Sequence, residues 1–297
     1  MAKPKVYVTN GLGIGCHEET AHAYLLAGAD PEIVHIKQLL TGEKNVSDAQ
    51  IIDFAGGFLQ GDILGAGMCA ANELEHALVQ VSGKMARLKD RLIRFSDKGV
   101  IYGQCNGFQL LVKTGLLPGI NSDYSKQTVT LTHNDCGSYR VDYVTHKVDP
   151  VNRRHFAFDG LADKPLDIWC RHGEGKLMFN SDSGLVPREE GEKVRKIVNA
   201  RHVFLRYIEP HTMCATEQYP YNPNGSVNGI AGLVNANGHI FGHMAHTEVG
   251  VYKSRSPDWF FMKEMLRRKG RLSAALKEDD NKGDCFRVFE NIVAYFK

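Results

Sequence analysis

Seven residues, Gly103-Gln104-Cys105-Asn106-Gly107-Phe108-Gln109, join one apolar run, Val100-Ile101-Tyr102, to another, Leu110-Leu111-Val112. The first run reads as a buried strand and the second as part of a helix, so the chain has to change direction sharply between them. Glycines at 103 and 107 remove the Cβ atoms that would clash at such a joint. A cysteine held there stands at the carboxyl edge of a sheet with a helix N-terminus beneath it. The dipole and free N–H groups of that terminus favour a thiolate. The joint therefore restricts the fold and the chemistry together.

The surrounding sequence repeats the strand-then-helix pattern. Residues 5–9, 33–36, 51–54 and 99–102 read as strands, and 20–27, 68–81 and 84–98 as helices. This alternation predicts a flavodoxin-like, doubly wound, mostly parallel sheet in the α/β class. Ligands of such sheets sit at the carboxyl ends of the strands. Three glycine-containing loops, 11–15, 56–58 and 103–107, converge on that edge. Further on, residues 127–132, 139–147, 168–170, 203–207, 230–234 and 239–243 read as antiparallel strands added to the sheet. The charge run 188–196 reads as a solvated loop or hairpin face, and 219–229 (YPYNPNGSVNG) as an irregular loop or linker. Residues 257–269 and 284–296 read as helices, the second with Asp284 as N-cap, separated by a polar loop at 277–283.

With 297 residues, no internal repeat and no clear linker, the chain reads as a single domain spanning 1–297. A net charge of +2 gives no electrostatic footprint for nucleic acid, and no apolar run reaches membrane-span length. Seven scattered cysteines without a C-x-x-C pair fit a reducing cytoplasm better than a disulfide framework or a zinc site. The histidines at 239, 243 and 246 have spacings a metal accepts, but strand alternation separates His246 from the other two, so no metal is expected. No G-x-x-x-x-G-K-[ST] is present to cradle ATP.

A cysteine nucleophile needs a base, and the base an orienting partner. In Phe241-Gly242-His243-Met244-Ala245-His246-Thr247-Glu248, the run leaves a strand, and His246 and Glu248 stand two residues apart. In an extended segment His246 and Glu248 share a face, which lets Glu248 accept the second imidazole N–H. At this point the motifs become specific. Residues 103–109 and 245–248 resemble the nucleophile and His-x-Glu motifs of class I (triad-type) glutamine amidotransferases. More narrowly, GCHEET at 15–20, AGGFLQGD at 55–62, QCNGFQ at 104–109, HGEG at 172–175 and YPYNPNGSVNGIAGL at 219–233 resemble the glutaminase subunits of phosphoribosylformylglycinamidine synthase.

That resemblance implies Cys105 as nucleophile, His246 as general base and then acid, and Glu248 as orienting carboxylate. It implies backbone N–H groups of Gly57 and Asn106 as the oxyanion hole, glycine at 57 because a side chain would crowd the substrate. Gln109 and Phe58 are its substrate-contacting residues. The implied reaction is hydrolysis of L-glutamine to glutamate and ammonia through a thioester. The ammonia is used by a synthetase subunit, with or without a small third subunit, to convert formylglycinamide ribonucleotide to the formylglycinamidine. No cofactor is implied on this chain; ATP and Mg²⁺ belong to the synthetase. Two departures stand out. His246-Thr247-Glu248-Val249 replaces the usual His-Pro-Glu-Arg, and Gly15 stands where an asparagine usually precedes Cys16. Residues 252–283 resemble an insertion, with 257–269 and the basic 267–271 as docking elements. Alternatives are a glutaminase serving another acceptor, a stand-alone thiol hydrolase of the same superfamily, and a non-catalytic scaffold.

Overall fold

The structure, a computed structural model, describes residues 2–184, 186–272 and 281–297. Its centre is a ten-stranded sheet with two different halves. Strands β1 (Lys5–Asn10), β2 (Asp30–His35), β3 (Ile51–Phe54), β6 (Val100–Gln104) and β13 (Ile240–His243) are parallel, in the spatial order β2-β1-β3-β6-β13. Strands β3 and β6 are buried at every residue, as expected of a sheet covered on both faces. Helices α1 (His17–Leu26), α3 (Met68–His76), α4 (Leu88–Phe95), α5 (Asn106–Lys113) and the C-terminal α8 (Phe286–Ala294) surround this half, with a short α2 at Ile36–Leu40.

The other half is antiparallel and continues β13 through β12 (Ile230–Val234), β11 (Val203–Tyr207), β8 (Arg140–Val148), β9 (Leu166–His172) and a two-residue β14 (Ala245–His246). Only Met244 separates β13 from β14, yet the two lie at different places in the strand order. The antiparallel half must therefore curl until the end of β9 returns to the end of β13. That curl brings residues 169–172 beside the carboxyl edge of the parallel half. Among the described residues one hydrophobic cluster runs from Val6 to Val293.

Several expectations change. Residues 68–81 and 84–98 are not two uninterrupted helices. Between α3 and α4 lies a hairpin of β4 (Leu78–Val81) and β5 (Lys84–Arg87). Its turn residues Ser82 and Gly83 have φ of 49° and 79°, the left-handed pair of a two-residue hairpin turn. The charge run at 188–196 is the first part of helix α6 (Arg188–Arg201), which buries only Gly191 and Val198. Strand 239–243 is antiparallel to β12 but parallel to β6, so it belongs to both halves. Asp284 does not cap the last helix: the N-cap is Cys285, with no side-chain hydrogen bond. A further two-stranded sheet pairs β7 (Val129–Thr132) with β10 (Lys176–Phe179), the latter absent from the sequence reading. Helix α7 (Trp259–Arg268) forms as expected, while most of the loop at 277–283 lies outside the described residues.

Candidate active site

The parallel register aligns Phe54 with Gly103 and Gln104 with His243, so the segments leaving β3, β6 and β13 emerge side by side. Cys105 leaves β6 with φ 50° and ψ −108°, a strained conformation for a residue with a Cβ. Its N–H is held by the His243 carbonyl at 2.9 Å, and its carbonyl accepts from the Gln109 N–H at 3.0 Å. A Cβ at Gly107 would stand 1.7 Å from the Phe54 carbonyl oxygen, so only glycine lets α5 pack this close to β3. The Cys105 sulfur lies 3.5 Å from the Arg171 carbonyl, contributed by the curled-over β9.

His246 and Glu248 meet across a bend. Ala245 and His246 pair with β9, whereas Glu248 is helical (φ −62°, ψ −29°), so the segment is not the extended run expected of it. The pairing survives: His246 Nδ1 lies 2.5 Å from Glu248 Oε1. Both residues are at most 4% exposed, as is Cys105. Burial opposes an imidazolium at His246, but the charges of Glu248 and Cys105 and contacts with Cys105 and Cys16 raise its pKa well above the ordinary value. His246 Nε2 has no hydrogen-bond partner, so it is the nitrogen left for proton exchange.

Gly57 lies opposite Ile14 in an antiparallel bridge whose bonds are made by its neighbours. Phe58 N–H donates to Gly13 O at 2.8 Å and Gly15 N–H to Gly56 O at 3.3 Å. The amide of Gly57 therefore turns away from residues 13–15. A Cβ on Gly57 would strike Gly13 O, Gly15 N and Ile14 Cα, each at 2.7 Å, so glycine is required by the backbone and not by substrate crowding. Gly56 is the residue facing the site: a Cβ there would lie 3.0 Å from His246 Cε1 and 3.3 Å from Cys105 Cβ. Asn106 is the first residue of α5, whose N–H has no partner within the helix.

Gln109 is 3% exposed and both ends of its amide are engaged: Oε1 accepts from Asn106 Nδ2 at 3.0 Å, and Nε2 donates to the Glu174 carbonyl at 2.7 Å. Glu174 in turn accepts from the Ala66 N–H at 3.0 Å and pairs with Lys113 at 3.6 Å. Around the same loop, Asn134 Nδ2 donates to His172 O at 2.8 Å and the Gly175 N–H to Asn134 Oδ1 at 3.0 Å. Ser226 Oγ accepts from the Leu177 N–H and donates to Asn224 Oδ1. Residues 172–175 and 222–226 thus form one buried polar clasp that fixes the end of β9 against α5. Phe58 is half exposed, its ring 5.9 Å from that of Tyr139.

Sequence reasoning missed what lies beneath these residues. A buried chain of donors runs from His243 Nε2 to Tyr102 OH (2.6 Å), from Tyr102 OH to Thr247 Oγ1 (2.8 Å), and from Thr247 to Gln104 Oε1. Gln104 Nε2 reaches Asp53 Oδ2 at 3.5 Å, and Tyr24 OH donates to the same oxygen at 2.9 Å. Burial pushes the Asp53 carboxyl up to about 8, with the nearby Glu248 charge adding to it, and burial pushes His243 down to about 3, so both are neutral at pH 7. Thr247, where the family usually has proline, ties the His246–Glu248 turn to the floor of the sheet. Cys16 was also missed: its Sγ lies 3.7 Å from His246 Nδ1. The one available signal was Thr247 itself, a hydroxyl residue between His246 and Glu248 where the resemblance leads to proline.

A cysteine at a strand–helix joint, a histidine–carboxylate pair beside it and amides at 57 and 106 that no described residue is seen to engage suit acyl transfer from an amide. The family described as "CobB/CobQ-like glutamine amidotransferase domain" matches residues 3–296, which gives the class: a glutamine amidotransferase. The phosphoribosylformylglycinamidine synthase subunit PurQ of Methanococcus maripaludis is 31% identical over 294 residues, covering 99% of this chain and 97% of the relative. That of Dehalococcoides mccartyi is 33% identical over 296 residues, covering 99% and 98%. The chain belongs to this PurQ family. In fold it is similar to a chain in the solved structure of PurLQS from Thermotoga maritima, with a TM-score of 0.62 at 23% identity over 99% of this chain and 100% of that one. Residues 252–283 fall inside the span shared with the two relatives.

Proposed function

We infer that this chain is the glutaminase subunit of a phosphoribosylformylglycinamidine synthase. The Cys105 sulfur attacks the carboxamide carbon of L-glutamine, and the oxyanion that forms is held by the N–H groups of Gly57 and Asn106. Each such donor is worth about 2.7–4 kcal/mol in comparable acyl-transfer enzymes. His246, oriented by Glu248, carries the proton from the attacking thiol to the departing ammonia. The same histidine then activates water to hydrolyse the thioester to glutamate. Phe58, beside Tyr139, lies at the approach to the site. Gln109 acts at one remove, holding the 172–175 loop against Asn106.

The observation that carries the reading is the 2.5 Å His246–Glu248 contact beside the strained Cys105, within a chain related end to end to PurQ subunits. The chain has no P-loop signature, which supports assigning ATP, Mg²⁺ and the ribonucleotide acceptor to a synthetase partner. No described helix is long and apolar enough to cross a membrane, and the setting is the cytoplasm. The test is reconstitution with the synthetase. The complex should form formylglycinamidine ribonucleotide from glutamine and ATP, and the isolated chain should hydrolyse glutamine slowly. A complex that uses free ammonia but not glutamine would overturn the assignment, and full-speed turnover by the chain alone would favour an independent hydrolase.

A further inference from the structure

Cys16 has no part in the reaction described above, yet it faces the base. Its Sγ, a nitrogen of His246 and a carboxylate oxygen of Glu248 all lie within 4.8 Å of one another. The thiol is held in place by its own backbone: the Cys16 N–H donates to Gly56 O at 3.2 Å, and its carbonyl accepts from the Thr20 N–H and hydroxyl. Two polar atoms of the same cluster, Glu248 Oε2 and His246 Nε2, are buried without a hydrogen-bond partner. Cys16 is partly exposed while the other two residues are buried, so the cluster opens to solvent on the Cys16 side.

We propose that Cys16, His246 and Glu248 form a binding site for a thiophilic divalent cation such as Zn²⁺, and that its occupation switches off glutamine hydrolysis. The donor set, one thiolate, one imidazole and one carboxylate, is the kind zinc selects. Tetrahedral bonds of about 2.3 Å to sulfur and 2.0 Å to nitrogen put those two donors about 3.5 Å apart. The observed separation of Cys16 Sγ and His246 Nδ1 is 3.7 Å. The Glu248 carboxylate needs only to draw back from Nδ1, exchanging a hydrogen bond for a metal bond.

The protons balance as follows. Zn²⁺ displaces one proton from the Cys16 thiol and one from His246 Nδ1, and both leave to solvent. The thiolate and carboxylate then neutralise the ion. The imidazole keeps its remaining proton on Nε2, but as a neutral metal-bound ring and no longer an imidazolium it is too weak an acid to give that proton to the departing ammonia. The tetrahedral adduct then reverts by expelling the Cys105 thiolate, and the thioester does not form. The inhibitory part of the proposal rests on the glutaminase reading; the binding part does not.

The test separates the two. In the full-length Cys105→Ala chain, Co²⁺ serves as a spectroscopic probe and Zn²⁺ as the competitor in calorimetry. The expected result is a thiolate-to-cobalt charge-transfer band at one equivalent, displaced by Zn²⁺ with release of about two protons. Cys16→Ser should abolish the band and weaken Zn²⁺ binding more than tenfold, since loss of a ligand's hydrogen-bonding neighbour alone costs about 10–100-fold. Serine is a good N-cap residue at the start of α1, so this variant should keep its fold, which circular dichroism checks. Glu248→Gln should weaken Zn²⁺ as well. Absence of the band in the Cys105→Ala chain, or its persistence after Cys16→Ser, would overturn the site. Parallel Zn²⁺ titrations of glutaminase turnover should show Cys16→Ser to be less sensitive than the native chain; equal sensitivity would overturn the inhibitory role.

Discussion

Replacing Glu248 by glutamine tests how the active-site base is made. The carboxylate is buried and 2.5 Å from His246 Nδ1, and burial alone would drive the imidazolium's proton away. An opposite charge at this range moves a pKa by about 1–3 units. Removing it should therefore weaken the hold of the imidazole on its catalytic proton about 10- to 1,000-fold. A tenfold change corresponds to about 1.4 kcal/mol, so the transition state should lose about 1.4–4 kcal/mol. Glutamine adds a second fault: when its amide N–H₂ faces Nδ1, the ring proton is forced onto Nε2 and the base is lost. The assay is steady-state glutamine hydrolysis by the reconstituted complex from pH 6 to 9. The expectation is a fall in kcat and kcat/KM by similar factors, because Glu248 is buried behind His246 and does not reach the substrate. Unchanged kcat/KM across this range would refute the pairing as the source of the base.

Thr247→Val should strand Gln104 Oε1, at about 1–3 kcal/mol, and leave the Tyr102 hydroxyl only its bond to His243, lowering stability in urea unfolding and kcat with it. Gly56→Ala should keep the fold but push on His246 and Cys105. A displacement below 1 Å is enough for a fall of about tenfold or more in kcat/KM, with little change in melting temperature. Gly107→Ala should instead destabilise the protein by several kcal/mol or prevent folding, read by denaturant unfolding, because its Cβ meets a backbone oxygen. Asp53 holds its proton in the fold to about pH 8, whereas an unfolded aspartate loses it near pH 4. Stability of the native chain therefore falls as pH rises through that window, and Asp53→Asn removes the fall. The stability difference between the two chains should grow in favour of the variant between pH 4 and 8, by up to about 5 kcal/mol in urea unfolding.

The sequence was most readable where one residue type answers one physical need. Gly103, Cys105 and Gly107 could be read as a strand–helix joint because nothing larger than glycine fits beside Phe54 and Leu111. Strands 203–207 and 230–234 were read to the residue because both are compact apolar runs with clear ends. Helix α6 was hidden because its sequence, REEGEKVRKIVNAR, is mostly charged and confines its apolar spacing to Val194, Ile197 and Val198. The hairpin at 78–87 was hidden because Leu78, Val79 and Val81 continue the apolar spacing of α3 up to the Ser82-Gly83 turn. The curl of the sheet could not be read at all. No local pattern says that residues 245–246 leave β13 to pair with β9, and that pairing sets both the Arg171 carbonyl by Cys105 and the bend between His246 and Glu248. The role of Gly57 was read from the wrong neighbour for the same reason: the residues it would strike, 13–15, are distant in sequence.

The central claim is that Cys105 is the nucleophile, and a glutamine-mimicking diazo-ketone amino acid tests it most directly. Such a reagent occupies the glutamine site and alkylates the attacking sulfur, so intact-mass analysis and peptide mapping read the outcome. The account predicts one adduct per chain, on Cys105, prevented by excess glutamine and strongly slowed in His246→Ala. An adduct on Cys16 or spread over the other cysteines, with Cys105 unmodified, would contradict it.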